Sequence, residues 1–118
     1  MKVLIIGYPL AGKTLFSERF DDVIHMDDFM DCSFKDQPYV VFDLIKDLDS
    51  WVVEGVQGFR LFRLLLKKSI LPDKVIFVKA KFPPLKKHVV FRKVLYSIWK
   101  ECLSLNNGVV EIDYVDGD

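Results

Sequence analysis

The sequence predicts a three-layer α/β/α domain built on a five-stranded, mostly parallel sheet. Five short apolar runs alternate with four segments of helical periodicity along the 118 residues. Strands that alternate with helices are typical of a parallel sheet covered by helices on its faces. Three of the apolar runs end in a glycine loop or in carboxylates, and ligands bind at the carboxyl ends of the strands in such sheets. The length fits a single domain that spans residues 1–118.

The first half of the chain predicts two strands and two helices. A continuous β-rich run, Val3–Ile6, indicates a strand buried on both faces. A loop with two glycines, Gly7–Gly12, follows it and leads into a predicted helix over Thr14–Phe20. Val23–Met26 reads as a second strand, and after a polar loop the amphipathic segment Tyr39–Leu48 predicts a second helix.

The second half continues the same alternation. Trp51–Val53 predicts a third strand, Gly58–Ser69 a helix, and Lys74–Lys79 a fourth strand. Pro83-Pro84 opens a long predicted helix to about Leu105, because proline fits the first turn of a helix. Val109–Val115 predicts the last strand.

The charges balance over the chain but are segregated along it. Seventeen basic residues match 17 acidic ones, yet residues 17–54 carry 11 of the acids and residues 60–100 carry 12 of the bases. We therefore expect an acidic side and a basic side. Two cysteines far apart in sequence, Cys32 and Cys102, favour reduced thiols and a cytoplasmic protein. No apolar run approaches the roughly 18–20 residues of a membrane-spanning helix, so we expect no membrane association.

The glycine loop matches the phosphate-binding pattern G-x-x-x-x-G-K-[ST] at every fixed position. In such loops backbone N–H groups converge on phosphate oxygens, and the following helix presents its N-terminus to the anion. Lys13 is then placed to reach the β- and γ-phosphates, and the Thr14 hydroxyl to ligate Mg²⁺. The predicted nucleotide-binding residues are Gly7, Tyr8, Pro9, Leu10, Ala11, Gly12, Lys13, Thr14 and Leu15.

Three stretches together resemble small P-loop kinases of the nucleoside/nucleotide kinase superfamily. They are Gly7–Thr14, the segment Val23–Phe29 with its Asp27-Asp28 pair, and Trp51–Gly55 with Glu54. The second and third are similar to segments of uridine-kinase-like and nicotinamide-riboside-kinase-like enzymes. The resemblance spans about residues 2–95, and it implies a P-loop NTPase fold with ATP and Mg²⁺ as cofactors. A minimal polynucleotide kinase-like member is also compatible with it.

The resemblance assigns chemistry to the carboxylates after the second and third strands. Asp27 lies where these kinases carry the catalytic aspartate, so it is the candidate general base and a candidate Mg²⁺ ligand. Glu54 is the candidate for the Mg²⁺ shell or for binding acceptor hydroxyls, and Asp28 is a weaker candidate for acceptor binding. The alternatives are that the two aspartates cap a turn and that Glu54 is a solvated strand end. For His25, a packed or hydrogen-bonded role is favoured over catalysis.

The basic half offers two further candidates. Arg60, near the start of the third predicted helix, is a candidate for holding an acceptor phosphate, whereas Lys67 and Lys68 complement the dipole at the end of that helix. Arg92 lies where related kinases carry lid arginines, which neutralise charge in the transition state, and Lys87 is a second lid candidate. The alternative for Arg60 and for Arg92 is a solvated helix face.

The resulting expectation is a Mg²⁺-dependent kinase. It would transfer the γ-phosphoryl group of ATP to a hydroxyl or phosphate of a small nucleoside- or nucleotide-like acceptor. Two alternatives stay open at this point: a polynucleotide 5′-hydroxyl kinase, whose nucleic-acid substrate would suit the basic stretch, and a non-catalytic NTP-binding regulatory module. The sequence identifies neither the acceptor nor the oligomeric state.

Overall fold

The computed structural model describes residues 1–9, 11–29, 31–80 and 86–117. These residues form one five-stranded sheet in which every pair of neighbouring strands is parallel. The prediction of a five-stranded parallel sheet flanked by helices is confirmed. In chain order the strands are β1 (Lys2–Gly7), β2 (Val23–His25), β3 (Trp51–Glu54), β4 (Lys74–Lys79) and β5 (Glu111–Asp116).

Four α-helices within the described residues connect the strands: α1 (Lys13–Ser17), α2 (Gln37–Ile45), α3 (Gly58–Lys68) and α4 (Val89–Asn106). The predicted opening of the last helix at Pro83-Pro84 lies outside the described residues. α3 and α4 end where Ser69 and Asn107 adopt left-handed backbone angles, with φ values of 57° and 46°. No helix in the described part of the chain has the length and apolarity needed to cross a membrane.

Several predicted boundaries differ from the structure, among them both ends of α2 and the start of β5. At the ends of the first helix and the second strand, the prediction is wrong because the chain tightens locally. The helix predicted over Thr14–Phe20 ends at Ser17, since the next N–H groups bond three residues back: Arg19 to Phe16 and Phe20 to Ser17. Such bonds are typical of 3₁₀ geometry at helix ends. Likewise β2 ends at His25, and Met26–Asp28 forms a 3₁₀ turn. The two aspartates therefore lie on a turn after the strand.

β1 is buried on both faces, as its apolar run predicts. Leu4 and Ile6 belong to one buried cluster, which includes Phe59 of α3 and Trp99 of α4. Val3 and Ile5 belong to a second cluster that is completed by Phe16 of α1. Successive side chains of a strand point to opposite faces, so these clusters lie on the two faces of the sheet. Each fully buried aliphatic side chain stabilises the fold by about 1.5–3 kcal/mol.

The strand order places the loop after β1 at a topological switch point of the sheet. The order is β2-β3-β1-β4-β5, so the chain leaves β1 toward one edge, returns through β3 and then passes to β4 on the other side. Ile5 of β1 pairs with Glu54, and Gly7 pairs with Val78. Crevices at such topological switch points are where ligands bind in open parallel sheets.

Candidate functional site

Seven of the predicted site residues line one cavity of about 500 Å³ at the carboxyl ends of β1 and β3, and four of them carry side chains that could act on a phosphate or a metal. Lys13 and Thr14 come from the start of α1, Asp27 from the 3₁₀ turn after β2, and Glu54 from the last position of β3. We call this space the Lys13 cavity. Its remaining lining residues are Pro9, Gly12, Leu15, Val56 and His88.

The two glycines of the phosphate-binding pattern are both needed by the loop geometry. Gly12 has a φ of 87°, in the left-handed region that favours glycine. At Gly7, an added Cβ would lie 2.8 Å from the backbone oxygen of Val78 and 3.1 Å from Cγ of Lys13. A side chain at either position would therefore displace the loop. The predicted loop residue Leu10 lies outside the described residues.

Lys13 is a buried cation held against the loop. Its side chain is 7% exposed, and its Nζ donates a hydrogen bond to the backbone oxygen of Tyr8 at 2.8 Å. Burial lowers the pKa of Lys13 from 10.5 to about 8, while the charges of Glu54 and Asp27 oppose that shift. Below pH 8 the side chain is therefore mainly protonated but poorly solvated. α1 has only five residues, so its aligned peptide dipoles are few. Among the described residues, no other lysine or arginine lines the Lys13 cavity.

Glu54 is buried rather than solvated. It is 3% exposed, and its Oε1 is bonded to Nδ1 of His25 at 2.7 Å. The register of β2 and β3 places these two residues directly opposite each other. The interpretation of Glu54 as a solvated strand end is therefore wrong, and His25 takes the hydrogen-bonded role favoured for it. The sequence alone does not reveal this pair, because pairing the two residues requires knowing that β2 lies beside β3.

The oxygen atoms of Thr14, Asp27 and Glu54 suit a magnesium ion that binds together with a substrate. Mg²⁺ is usually held by one or two carboxylates plus substrate phosphates and keeps several waters. Two carboxylate residues and one hydroxyl residue line the Lys13 cavity. Over the described ranges, no group of three or more His, Cys, Asp or Glu side chains is arranged to hold a metal ion. Thr14, Asp27 and Glu54 could serve a metal whose other ligands are substrate phosphates and water.

Arg92 contacts the loop from another side. Its guanidinium lies 4.7 Å from the centre of the Tyr8 ring, in a cation–π arrangement. Arg92 and Tyr8 line a separate cavity of about 480 Å³ between β4 and α4. The predicted lid residue is thus next to the phosphate loop, but it does not line the Lys13 cavity. His88, which sequence analysis did not single out, does line that cavity, and its Nδ1 is buried with no hydrogen-bond partner among the described residues.

The other two predicted acceptor residues are not brought to the Lys13 cavity. Asp28 lines a cavity with Asp31 and Cys32. Arg60 lines a cavity between α2 and α3. The roles of Asp28 and Arg60 in binding the acceptor therefore stay predictions.

The candidate site thus contains a glycine loop with a buried lysine, facing two carboxylates that adjacent segments supply. A scan of protein-family models gave no match for the chain, and a search of curated proteins gave none either. The site is interpreted from its residues and their geometry.

Proposed function

We propose that the protein is a P-loop kinase with a three-layer α/β/α fold that transfers the γ-phosphoryl group of ATP to a small nucleoside- or nucleotide-like acceptor in the cytoplasm. The observation that carries the proposal is the convergence of Lys13, Thr14, Asp27 and Glu54 on one cavity. Phosphoryl transfer needs cations at the transferred group and an oriented nucleophile. Those requirements match a buried lysine facing two carboxylates.

Each residue has a defined task in this proposal. The loop N–H groups and Lys13 bind the β- and γ-phosphates, and Asp27 accepts the proton of the acceptor hydroxyl. The acceptor oxygen forms a bond to the γ-phosphorus while the bond from that phosphorus to the β–γ bridging oxygen breaks, and ADP leaves. Thr14, Asp27 and Glu54 would hold Mg²⁺, which neutralises charge on the phosphates when bound. Arg92 would add a cation from the Tyr8 side.

His25 positions Glu54 in this arrangement. Its Nδ1 engages Oε1 of the carboxylate, which leaves Oε2 available for the metal shell or for an acceptor hydroxyl. A carboxylate with one oxygen already held by a hydrogen bond loses less conformational entropy when the substrate binds.

Nucleotide binding is tested by calorimetry with Mg-ATP. We expect Lys13→Ala to abolish binding, because the mutation removes the main cation of the loop. Unchanged affinity in this variant would refute the proposed site.

Transfer is tested with radiolabelled ATP and a panel of nucleosides, nucleotides and nucleic-acid 5′ ends. We expect Asp27→Asn to keep nucleotide binding but to lose transfer by 10²-fold or more, as is typical for a general base. Asp47→Asn is the matched control, because Asp47 is an exposed carboxylate that lines neither the Lys13 cavity nor the cavity of Asp28. Transfer to 5′ ends alone would favour the polynucleotide kinase, and nucleotide binding without transfer to any acceptor would favour a regulatory module.

A further inference from the structure

One face of α3 forms a wall of the cavity between α2 and α3, which is lined by cations. Arg60, Arg63 and Lys67 follow one another at spacings of three and four residues, so they share a helix face. Lys35 and the start of α2 lie across from them. The space between has a volume of about 210 Å³. We call it the basic groove, and its lining residues are Lys35, Pro38, Tyr39, Arg60, Arg63, Leu64 and Lys67.

The groove has more positive charge than its own residues neutralise. Four cations line it and, among the described residues, no carboxylate does. Arg63 donates to Glu101 at 3.0 Å, which offsets one charge from outside the groove. The Nε of Arg60 is buried and has no hydrogen-bond acceptor within the part of the chain that the structure describes. Cations that line one groove repel one another, and a buried donor needs an acceptor. An anion in the groove would offset the repulsion and would accept a hydrogen bond from Arg60.

The two walls are tied together before any ligand binds. Gln57, which is 1% exposed, donates from Nε2 to the backbone oxygen of Phe34 at 2.7 Å. This bond joins the segment that carries Lys35 to the start of α3. The backbone segments that carry the cations are therefore held together by the fold, which reduces the entropy lost on binding.

We propose that the basic groove binds a ligand that carries two or more neighbouring phosphate groups. The helix rise of 1.5 Å per residue separates Arg60 from Lys67 by roughly 10 Å, which is longer than one phosphate. Guanidinium groups bind phosphate oxygens in pairs. Two or more neighbouring phosphates also carry more negative charge than a single carboxylate, so they match the four cations that line the groove better. The groove shares no lining residue with the Lys13 cavity, so the proposal does not rest on the proposed kinase activity.

Such phosphates belong either to a small polyphosphate or to a nucleic-acid strand, and two probes distinguish these sources. Binding of inorganic tripolyphosphate and of a short single-stranded DNA is measured by calorimetry in the Lys13→Met protein, so that the Lys13 cavity does not contribute. We expect Arg60→Ala and Lys67→Ala each to weaken binding of the preferred probe about tenfold. For DNA, the slope of log affinity against log salt should fall by about 0.7 per phosphate contact removed.

Lys68→Ala is the matched control, because it removes the same exposed charge from the next position of α3, outside the groove. We expect it to change the affinity of either probe by less than about twofold, as is usual for isolated surface charges. Equal weakening by Lys68→Ala and Lys67→Ala, or no binding of either probe to the folded protein, would overturn the proposal. Mg-ATP binding by Lys67→Ala is measured in parallel. Loss of phosphate binding at the basic groove is thereby distinguished from loss of nucleotide binding at the Lys13 cavity.

Discussion

Burial of Lys13 carries a free-energy cost that is measurable without any ligand. Folding lowers the pKa of this side chain from 10.5 to about 8, and one pH unit corresponds to about 1.36 kcal/mol. The charged form of Lys13 therefore destabilises the fold by about 3 kcal/mol at pH 7. Lys13→Met removes the charge and keeps most of the aliphatic chain, although it loses the hydrogen bond to Tyr8, worth about 1 kcal/mol. We expect the variant to be more stable by about 2 kcal/mol.

The extra stability of Lys13→Met over wild type should decrease as the pH rises. Because the folded pKa of Lys13 lies below its unfolded value, the unfolded state binds more protons between about pH 8 and pH 10.5. Wild-type stability from this group therefore rises through that window, and the advantage of the methionine variant shrinks. Cys102 lowers the free energy of unfolding as the pH rises above 9, since burial raises the pKa of its thiol from 9.0 to about 12. Both proteins contain Cys102, so its contribution cancels when their free energies of unfolding are subtracted.

The assay is urea unfolding of both ligand-free proteins from pH 7 to pH 10.5. We expect the advantage of the methionine variant to be largest at pH 7 and to reach zero near about pH 10. Above that pH wild type should be more stable by up to about 1 kcal/mol, because only the lost hydrogen bond then distinguishes the two proteins. A methionine variant less stable than wild type at pH 7, or a difference that does not change with pH, would refute the assignment of the cost to a buried charge.

Three further outcomes are expected from the structure. For the proposed kinase, His25→Ala should reduce phosphoryl transfer more than Mg-ATP affinity, because the mutation frees Oε1 of Glu54. Steady-state kinetics measures the loss of transfer and calorimetry the loss of affinity, and an equal loss of both would contradict the role of His25. Phe59→Ala should lower the free energy of unfolding by about 3–5 kcal/mol in urea, because Phe59 is fully buried and stacks on Tyr8. A thiol reagent at pH 8 should modify Cys32 quickly and Cys102 only on unfolding, since Cys102 is fully buried and its pKa is raised to about 12. Equal modification rates would show that the α3–α4 contact opens readily.

The sequence predicted the order and type of the elements because their signal is local. β1 and β4 are short apolar runs and α3 has a clear helical period, so each is recognisable by itself. The ends of α1 and β2 were predicted less well. There the chain passes into 3₁₀ geometry, and the apolar pattern does not distinguish one hydrogen-bonding spacing from another.

The contacts within the site depended on information that no local pattern contains. The glycine loop and the position of Glu54 at the end of a strand were predicted from residue type and position, but the partnership of His25 with Glu54 follows from strand order. The basic groove was missed for a related reason. Lys67 was interpreted as a helix-end charge, because only the packing of α2 against α3 shows that it faces Lys35 across a cavity.

A single short connection links the Lys13 cavity to the basic groove. β3 ends at Glu54 and α3 begins at Gly58, so one turn of chain separates the carboxylate in the cavity from the helix that carries Arg60. An added Cβ at Gly55 would lie 2.6 Å from Cβ of Met26, and one at Gly58 would lie 2.6 Å from Cγ2 of Ile6. Both neighbours are fully buried, and neither has space to retreat in a close-packed core. A side chain at either glycine would therefore shift Glu54 and α3 together, so the geometry of both proposed anion-binding sites depends on the same close packing.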